Sequence, residues 1–172
     1  MYLERAKQRY AEMMEEFKDL NLPYQTLPAY PENIEQLERQ LGFPLPAAYK
    51  EFLLWMGGGA DRFMDHLDFG VGDVPYNQED APELMEDYCR EPLPDDAIVF
   101  AMAGQGYYFF FIRVSEGEDP PIHSYRDTKE KFDLNVFPSL DTMIFKAVEG
   151  SIHYHREEGR GCVGIIWGTS KN

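Results

Sequence analysis

Basic residues and cysteines are both scarce in this sequence of 172 residues. Its 16 Lys and Arg face 31 Asp and Glu, which gives a formal net charge of −15. Nucleic-acid binders and proteins that adhere to anionic membranes use Lys and Arg to neutralise phosphate, so this charge disfavours both classes and favours a basic protein partner. The two cysteines, Cys89 and Cys162, fit no disulfide framework and no paired Cys-x-x-Cys metal spacing. The simpler interpretation of this cysteine content is a protein of a reducing compartment. We expect no cofactor.

Long apolar runs are missing as well. Residues 1–17 place charges among their apolar positions and contain no run of signal-peptide or membrane-spanning length. We therefore predict a cytoplasmic protein without a membrane partner. The chain is nevertheless 44% hydrophobic and 15% aromatic, unlike disordered acidic segments. At this length, a single folded domain spanning residues 1–172 is expected.

Hydrophobic spacing predicts three helices in the first third of the chain. Apolar residues spaced by three and four indicate an N-terminal helix, 1–20, whose narrow seam could pack on the domain or on a second copy. The oligomeric state, monomer or homodimer, stays open. A second helix is predicted from Pro31 up to Gly42 and a third from Pro46 up to Gly57.

The middle of the chain changes to a strand pattern. β-branched and aromatic runs over 97–101, 107–114 and 122–125 predict three strands. Within the aromatic run 107–111, we expect alternate residues to enter the core and the others to lie under helices or loops. Since helices come first, strands follow and no regular βαβ alternation occurs, the order indicates an α+β fold with a mainly antiparallel sheet.

A last helix and a C-terminal hairpin are predicted after these strands. Ser139 is the expected N-cap of the helix and Gly150 its end. Beyond it, Ile152 and Tyr154 alternate with histidines, which predicts a hairpin over 151–168. The side chains expected to matter for folding are apolar and sit at helical spacing: Tyr49, Phe52, Leu53, Met56, Ile144 and Val148.

Candidate chemistry is sparse. His153, His155 and Cys162 could supply three zinc ligands, because alternate strand residues share a face, but a fourth ligand is missing and a polar strand face is the simpler interpretation. The glycine clusters lack the context of a phosphate loop or a dinucleotide site, and no Gly-x-Ser-x-Gly is present. The sequence therefore predicts neither catalytic residues nor a metal site.

The negative charge is concentrated in one segment. Twelve acids and two bases lie between Asp61 and Asp96, a net charge of −10, whereas the parts before and after it carry −3 and −2. The sequence of this segment predicts mostly loop, with a short strand near Leu67 and a short helix over 79–88. A uniformly solvated surface would not require such concentration.

The helical region resembles a known family signature. Ile34, Leu37, Leu41-Gly42, Leu45-Pro46 and the segment LPAAYKEFLLWMGGG are similar to the N-terminal motif of the SUKH superfamily, and the later strand order and the helix from Ser139 are similar too. That superfamily includes the yeast cell-wall-synthesis regulator linked to killer-toxin resistance and many bacterial immunity proteins. The resemblance covers a core of about 31–149. The N-terminal helix, the acidic insertion 61–96 and the final hairpin fit the pattern poorly.

The resemblance implies helices against a curved antiparallel sheet and a non-catalytic binding role. The leading hypothesis is an immunity protein that neutralises a cognate polymorphic or contact-dependent toxin, a basic domain such as a nuclease. The alternative is an intracellular scaffold or regulatory module without a toxin partner, and a third is a metal-dependent hydrolase. Under the leading hypothesis, the expected partner contacts are Asp61, Asp65, Asp68, Asp73, Tyr76, Glu79, Asp80, Glu83, Glu86, Asp87 and Tyr88.

Overall fold

The computed structural model describes residues 1–20, 25–103 and 107–157. Within these ranges the helices are α1 (Glu4–Glu16), α2 (Pro31–Leu41), α3 (Ala47–Met56), α4 (Val74–Met85) and α5 (Leu140–Glu157). The strands are β1 (Leu67–Asp68), β2 (Ala97–Ala103), β3 (Tyr108–Arg113), β4 (Ile122–Arg126) and β5 (Asp133–Phe137). Single helical turns lie at Lys18–Leu20 and Val114–Glu116. The predicted α+β class is confirmed.

The five strands form one antiparallel sheet in the order β1-β2-β3-β4-β5. Val99 of β2 lies opposite Phe111 of β3, and Phe109 of β3 lies opposite Tyr125 of β4. The register between β2 and β3 shifts at Phe100, where an extra residue makes a bulge. The sheet is therefore a simple meander in which each strand pairs with its chain neighbours.

Both faces of the sheet are buried, which explains the aromatic run. Phe100 and Phe110 belong to one core cluster, together with apolar residues of α1, α2, α3 and α5. Phe109 and Phe111 belong to a second cluster, on the opposite face, with residues of α4 and the segment after it. Successive strand residues point to opposite faces, so a strand between two layers must be apolar throughout. The predicted burial of this run is confirmed for Phe109, Phe110 and Phe111, whereas Tyr107, which precedes β3, is 55% exposed.

Helices α2 and α3 begin and end where the sequence predicts. Pro31 opens α2, and Gly42 follows its last residue with a φ of +83°, a left-handed conformation that favours glycine. α3 ends before Gly57, whose N–H donates to the Leu53 carbonyl. The six side chains predicted to matter for folding are all buried.

The N-terminal helix packs within the chain. Tyr10 places its ring edge-on against both Trp55 and Phe63, at centroid distances of 5.4 and 5.2 Å. Ion pairs flank this apolar contact: Arg5 to Asp141 at 2.9 Å and Lys7 to Glu51 at 2.8 Å. The seam predicted on α1 thus faces α3 and α5, and a second copy is not needed to cover it.

The end of the described chain corrects the sequence prediction. α5 continues through Gly150 to Glu157, so residues 151–157 are helical and the first strand of the predicted hairpin is wrong. The helix persists because Ile152 and His155 extend its buried stripe beyond the glycine, while Arg156 pairs with Glu16 of α1 at 2.7 Å. The second half of the hairpin lies outside the described residues.

Strand β5 was not predicted. Its residues Asp133, Leu134 and Asn135 are exposed, and only Phe137 at its end is buried. An edge strand of this kind is held by backbone pairing with β4, and its apolar Leu134 is 63% exposed.

Candidate functional site

From α4 onward, the acidic segment is a structural layer that covers the second face of the sheet, whereas Phe63, Leu67 and Phe69 before it pack in the first core cluster. Along α4, Val74, Asn77, Ala81 and Met85 recur every three or four residues and are buried. The opposite side of the helix carries acids and faces solvent. Helix α4 therefore buries apolar surface on one side and concentrates charge on the other. The short predicted helix exists, but it begins and ends earlier in the chain than 79–88.

Three polar side chains fix α4 and its entry. Asp73 accepts a hydrogen bond from the Gly70 N–H at 2.8 Å. Asn77 donates through Nδ2 to the Asp68 carbonyl at 2.8 Å, and Gln78 accepts through Oε1 from the Val99 N–H at 3.0 Å. Because Val99 lies beside the bulge of β2 and is fully buried, Gln78 supplies its N–H with an acceptor. These contacts set the direction in which the acidic side of α4 points.

A hollow, the acidic groove, lies between α4, β1 and the end of β2. Its volume is about 470 Å³. Its lining residues are Asp68, Asp73, Tyr76, Asn77, Asp80, Glu83, Leu84, Met102 and Ala103. Four carboxylates thus meet an apolar floor and one aromatic ring. Tyr76 is 69% exposed, which leaves most of its ring available to a partner.

The acids on this side carry uncompensated charge. In the described part of the chain, no ion pair engages the carboxylates of Asp68, Glu79, Asp80, Glu83, Glu86 or Asp87. Their fields therefore add, because like charges within about 10 Å of one another are only partly screened at physiological salt. A positively charged surface would be attracted to this side of the molecule.

The predicted contact residues divide into groups. Asp68, Asp73, Tyr76, Asp80 and Glu83 meet at the acidic groove. Glu79, Glu86, Asp87 and Tyr88 are exposed on α4 or just after it, and Asp61 and Asp65 are exposed in the loop between α3 and β1. Asp61 and Asp73 also have structural contacts, since Asp61 accepts from the Gln25 N–H at 3.1 Å and Asp73 accepts from the Gly70 N–H at 2.8 Å. Which of them contact a partner stays a prediction.

Sequence reasoning missed a neighbouring hollow. The amide groove, about 210 Å³, lies between α2 and the start of α4; its lining residues are Asn33, Gln36, Leu37, Gln40, Val71, Gly72, Pro75 and Tyr76. The available signal was the spacing of its three amide side chains, at i, i+3 and i+7 on the second helix. Its apposition to Tyr76 depends on tertiary packing and could not be read from spacing.

The zinc hypothesis depended on a strand that does not exist. On a helix, His153 and His155 are two positions apart and point to different sides: His153 is exposed, while His155 is buried with its ring 5.3 Å from that of Phe17. Burial lowers the pKa of His155 below its usual range. Cys162 lies outside the described residues. Across residues 1–20, 25–103 and 107–157, no group of three or more His, Cys, Asp or Glu is placed to hold a metal ion.

One buried histidine is fully engaged in the sheet. His123 Nδ1 accepts a hydrogen bond from the Asn135 N–H at 3.1 Å, so the proton sits on Nε2, which donates to Glu116 at 2.7 Å. Both ring nitrogens are thereby used in joining β4 to β5 and to the turn at Val114–Glu116. This arrangement gives His123 a structural role.

A comparison with known families agrees with the fold. A model of the SMI1 / KNR4 family (SUKH-1) matches residues 28–146, well over half of the chain, in a range that includes α2, α3, α4 and every described strand. No curated protein matches. Helices long and apolar enough to cross a bilayer are absent from the described ranges. The resemblance inferred from LPAAYKEFLLWMGGG is confirmed, and the chain belongs to the SMI1 / KNR4 family (SUKH-1).

Proposed function

We propose that this SUKH-1 protein is a non-catalytic binding module, an immunity protein that neutralises a cognate polymorphic or contact-dependent toxin through the acidic side of α4. The observation that carries the proposal is the set of carboxylates around the acidic groove that form no ion pair within the described residues, beside the exposed ring of Tyr76. The partner expected for this surface is a basic domain, such as a nuclease whose phosphate-binding side is positively charged.

Electrostatics supports this assignment through association kinetics. Complementary charge steers encounter and raises association rate constants toward about 10⁸–10⁹ M⁻¹s⁻¹ at low salt, compared with about 10⁵–10⁶ for neutral surfaces. A toxin inhibitor benefits from such rates because it must bind before the toxin reaches its substrate. An acidic surface set over a basic nuclease site would also repel the nucleic-acid phosphates that compete for it.

Rigid attachment of the acidic side supports the same assignment. α4 is packed on the sheet through Ala81 and Met85 and is hydrogen-bonded through Asn77 and Gln78. Charges held on a packed helix lose little conformational freedom when a partner binds. Tyr76 adds the kind of amphipathic ring that dominates binding energy at interface centres.

The test is a kinetic comparison of two variants with the same net charge. In the groove variant, Glu79→Lys, Asp80→Lys and Glu83→Lys are combined. In the control variant, three exposed acids without ion pairs in the described structure are reversed: Glu4→Lys, Glu130→Lys and Glu157→Lys. The immunity proposal expects a toxin gene beside this one; the toxin domain that it encodes is the probe, and association is measured at several salt concentrations.

The groove variant is expected to associate at least tenfold more slowly at low salt and to show a weaker salt dependence, while the control stays close to wild type. Equal slowing in both variants would mean that overall charge, and not this surface, attracts the toxin. Absence of binding by the wild type to the adjacent toxin domain would contradict the immunity role.

A further inference from the structure

Tyr76 forms a wall shared by two grooves of different chemistry. On one side lies the acidic groove, with the carboxylates of Asp73 and Asp80; on the other lies the amide groove, with Gln36 and Gln40. A partner that covers the 69% exposed ring of Tyr76 would therefore contact both hollows. The exposed aromatic thus joins two surfaces that the sequence separates by more than thirty residues.

The amide groove offers hydrogen bonds of a kind that carboxylates do not. Asn33, Gln36 and Gln40 are exposed, and in the described structure none of their side-chain amides makes a hydrogen bond. Each amide can donate and accept at once, so it matches a peptide group, whereas an ionised carboxylate only accepts. The opposite side of the groove contains Gly72, where an added Cβ would meet no atom within 4 Å, so the groove is open to an approaching main chain.

Resting on the proposed function, we propose that the amide groove binds an uncharged, hydrogen-bonding segment of the same toxin domain whose Lys and Arg occupy the acidic groove. The occupant is a loop with exposed main-chain N–H and C=O groups beside a basic patch. The two grooves are assigned different parts of the toxin because their charge differs. The carboxylates bind cations, while the three amides are neutral and bind groups that both donate and accept hydrogen bonds.

The two grooves are expected to act on different rate constants. Long-range attraction by the acids accelerates association and weakens with salt. Neutral hydrogen bonds form only after contact, so they slow dissociation and are almost insensitive to salt. The amides of α2 are therefore expected to contribute a part of the toxin affinity that does not weaken with salt.

The experiment combines Gln36→Ala with Gln40→Ala and measures both rate constants against the toxin domain encoded beside the gene. Dissociation is expected to accelerate by about tenfold, the order of two neutral hydrogen bonds. Association and its salt dependence stay within twofold of wild type. Gln8→Ala is the matched control, because Gln8 is an exposed helical amide on α1, away from both grooves. Urea unfolding of each variant verifies that the fold is intact.

Dissociation of the double variant within twofold of wild type would overturn the inference and leave the proposed function standing if the groove variant still associates slowly. Failure of the wild type to bind the toxin domain would overturn both. A double variant that dissociates faster only at low salt would show that α2 acts through the charges of α4, and it would likewise overturn the amide assignment.

Discussion

Gln78 is the residue by which the attachment of the acidic layer can be tested most sharply. Its side-chain oxygen accepts from the Val99 N–H at 3.0 Å, next to the bulge in β2. The proposed perturbation is Gln78→Met, which keeps the length and helix propensity of the side chain but removes the acceptor. Val99 is fully buried, so water cannot replace the lost oxygen.

The expected cost follows from that burial. A buried donor left without a partner costs about 1–3 kcal/mol, and the methionine retains most of the apolar contact of the stem. For a chain of this size, each kcal/mol lowers the melting temperature by about 2–4 °C. Gln78→Met should therefore lower the free energy of unfolding by about 2 kcal/mol and the melting temperature by about 4–8 °C.

Equilibrium unfolding in urea is the assay, with Gln8→Met as the control for loss of an exposed amide. Gln78→Glu retains an acceptor oxygen and should lose less stability than Gln78→Met. Hydrogen exchange should also quicken across α4 in the methionine variant, because the helix loses the hydrogen bond that Gln78 accepts from β2. Coincident urea midpoints for Gln78→Met and wild type, at equal slopes, would refute the view that this bond anchors α4.

Three further changes test the fold. Phe110→Ala should lower the free energy of unfolding by about 3–5 kcal/mol, because its ring is fully buried in the larger core cluster. Leu134→Ala, on an exposed edge strand, should change it by no more than about 0.5 kcal/mol, and thermal melts compare the two. Gly42→Ala should lower the free energy of unfolding by about 1 kcal/mol because of the φ of +83° alone, since an added Cβ would meet no atom within 4 Å. Gly72→Ala, where an added Cβ is equally free of contacts, is the control, and urea unfolding compares the two. Burial alone would raise the pKa of Asp96, but hydrogen bonds from Ser115 and Arg113 outweigh it and lower the pKa to about 2. The contribution of the Asp96 carboxylate to the free energy of unfolding is therefore complete above its ordinary pKa near 3.8 and is lost as the pH falls toward 2. The destabilisation caused by Asp96→Asn should shrink over that pH range, which unfolding measured at several pH values checks.

The sequence predicts the helical layer well because local signals and burial agree there. Pro31 and Gly42 bound α2, and the apolar stripe around Phe52 buries α3. The burial of Phe109, Phe110 and Phe111 in β3 is also predictable, since a run without polar alternation requires cover on both faces.

Local signals fail where tertiary contacts decide. Gly150 would end an isolated helix, yet α5 continues because Ile152 and His155 pack beyond it. Alternation of apolar residues with His153 and His155 imitates a strand over only four positions, too short a window to separate a period of 2 from one of 3.6. Strand β5 is only five residues long and mostly exposed, and pairing with β4 holds it in place.

The candidate site was predictable in charge but not in shape. Counting acids locates the segment 61–96, whereas the shape of the acidic groove depends on the tertiary contacts that hold α4 against the sheet, among them those of Asn77 and Gln78. The amide groove pairs α2 with Tyr76 across a distance in sequence that no local pattern spans.

The central claim is that the acidic side of α4 neutralises a toxin. Its most direct measurement is the survival of cells that express the toxin domain encoded by the neighbouring gene. Co-expression of wild type and of the control variant Glu4→Lys, Glu130→Lys and Glu157→Lys should restore growth. The groove variant Glu79→Lys, Asp80→Lys and Glu83→Lys, present at the same level, should not. Equal protection by the groove variant and the wild type, or no protection by either, would contradict the account.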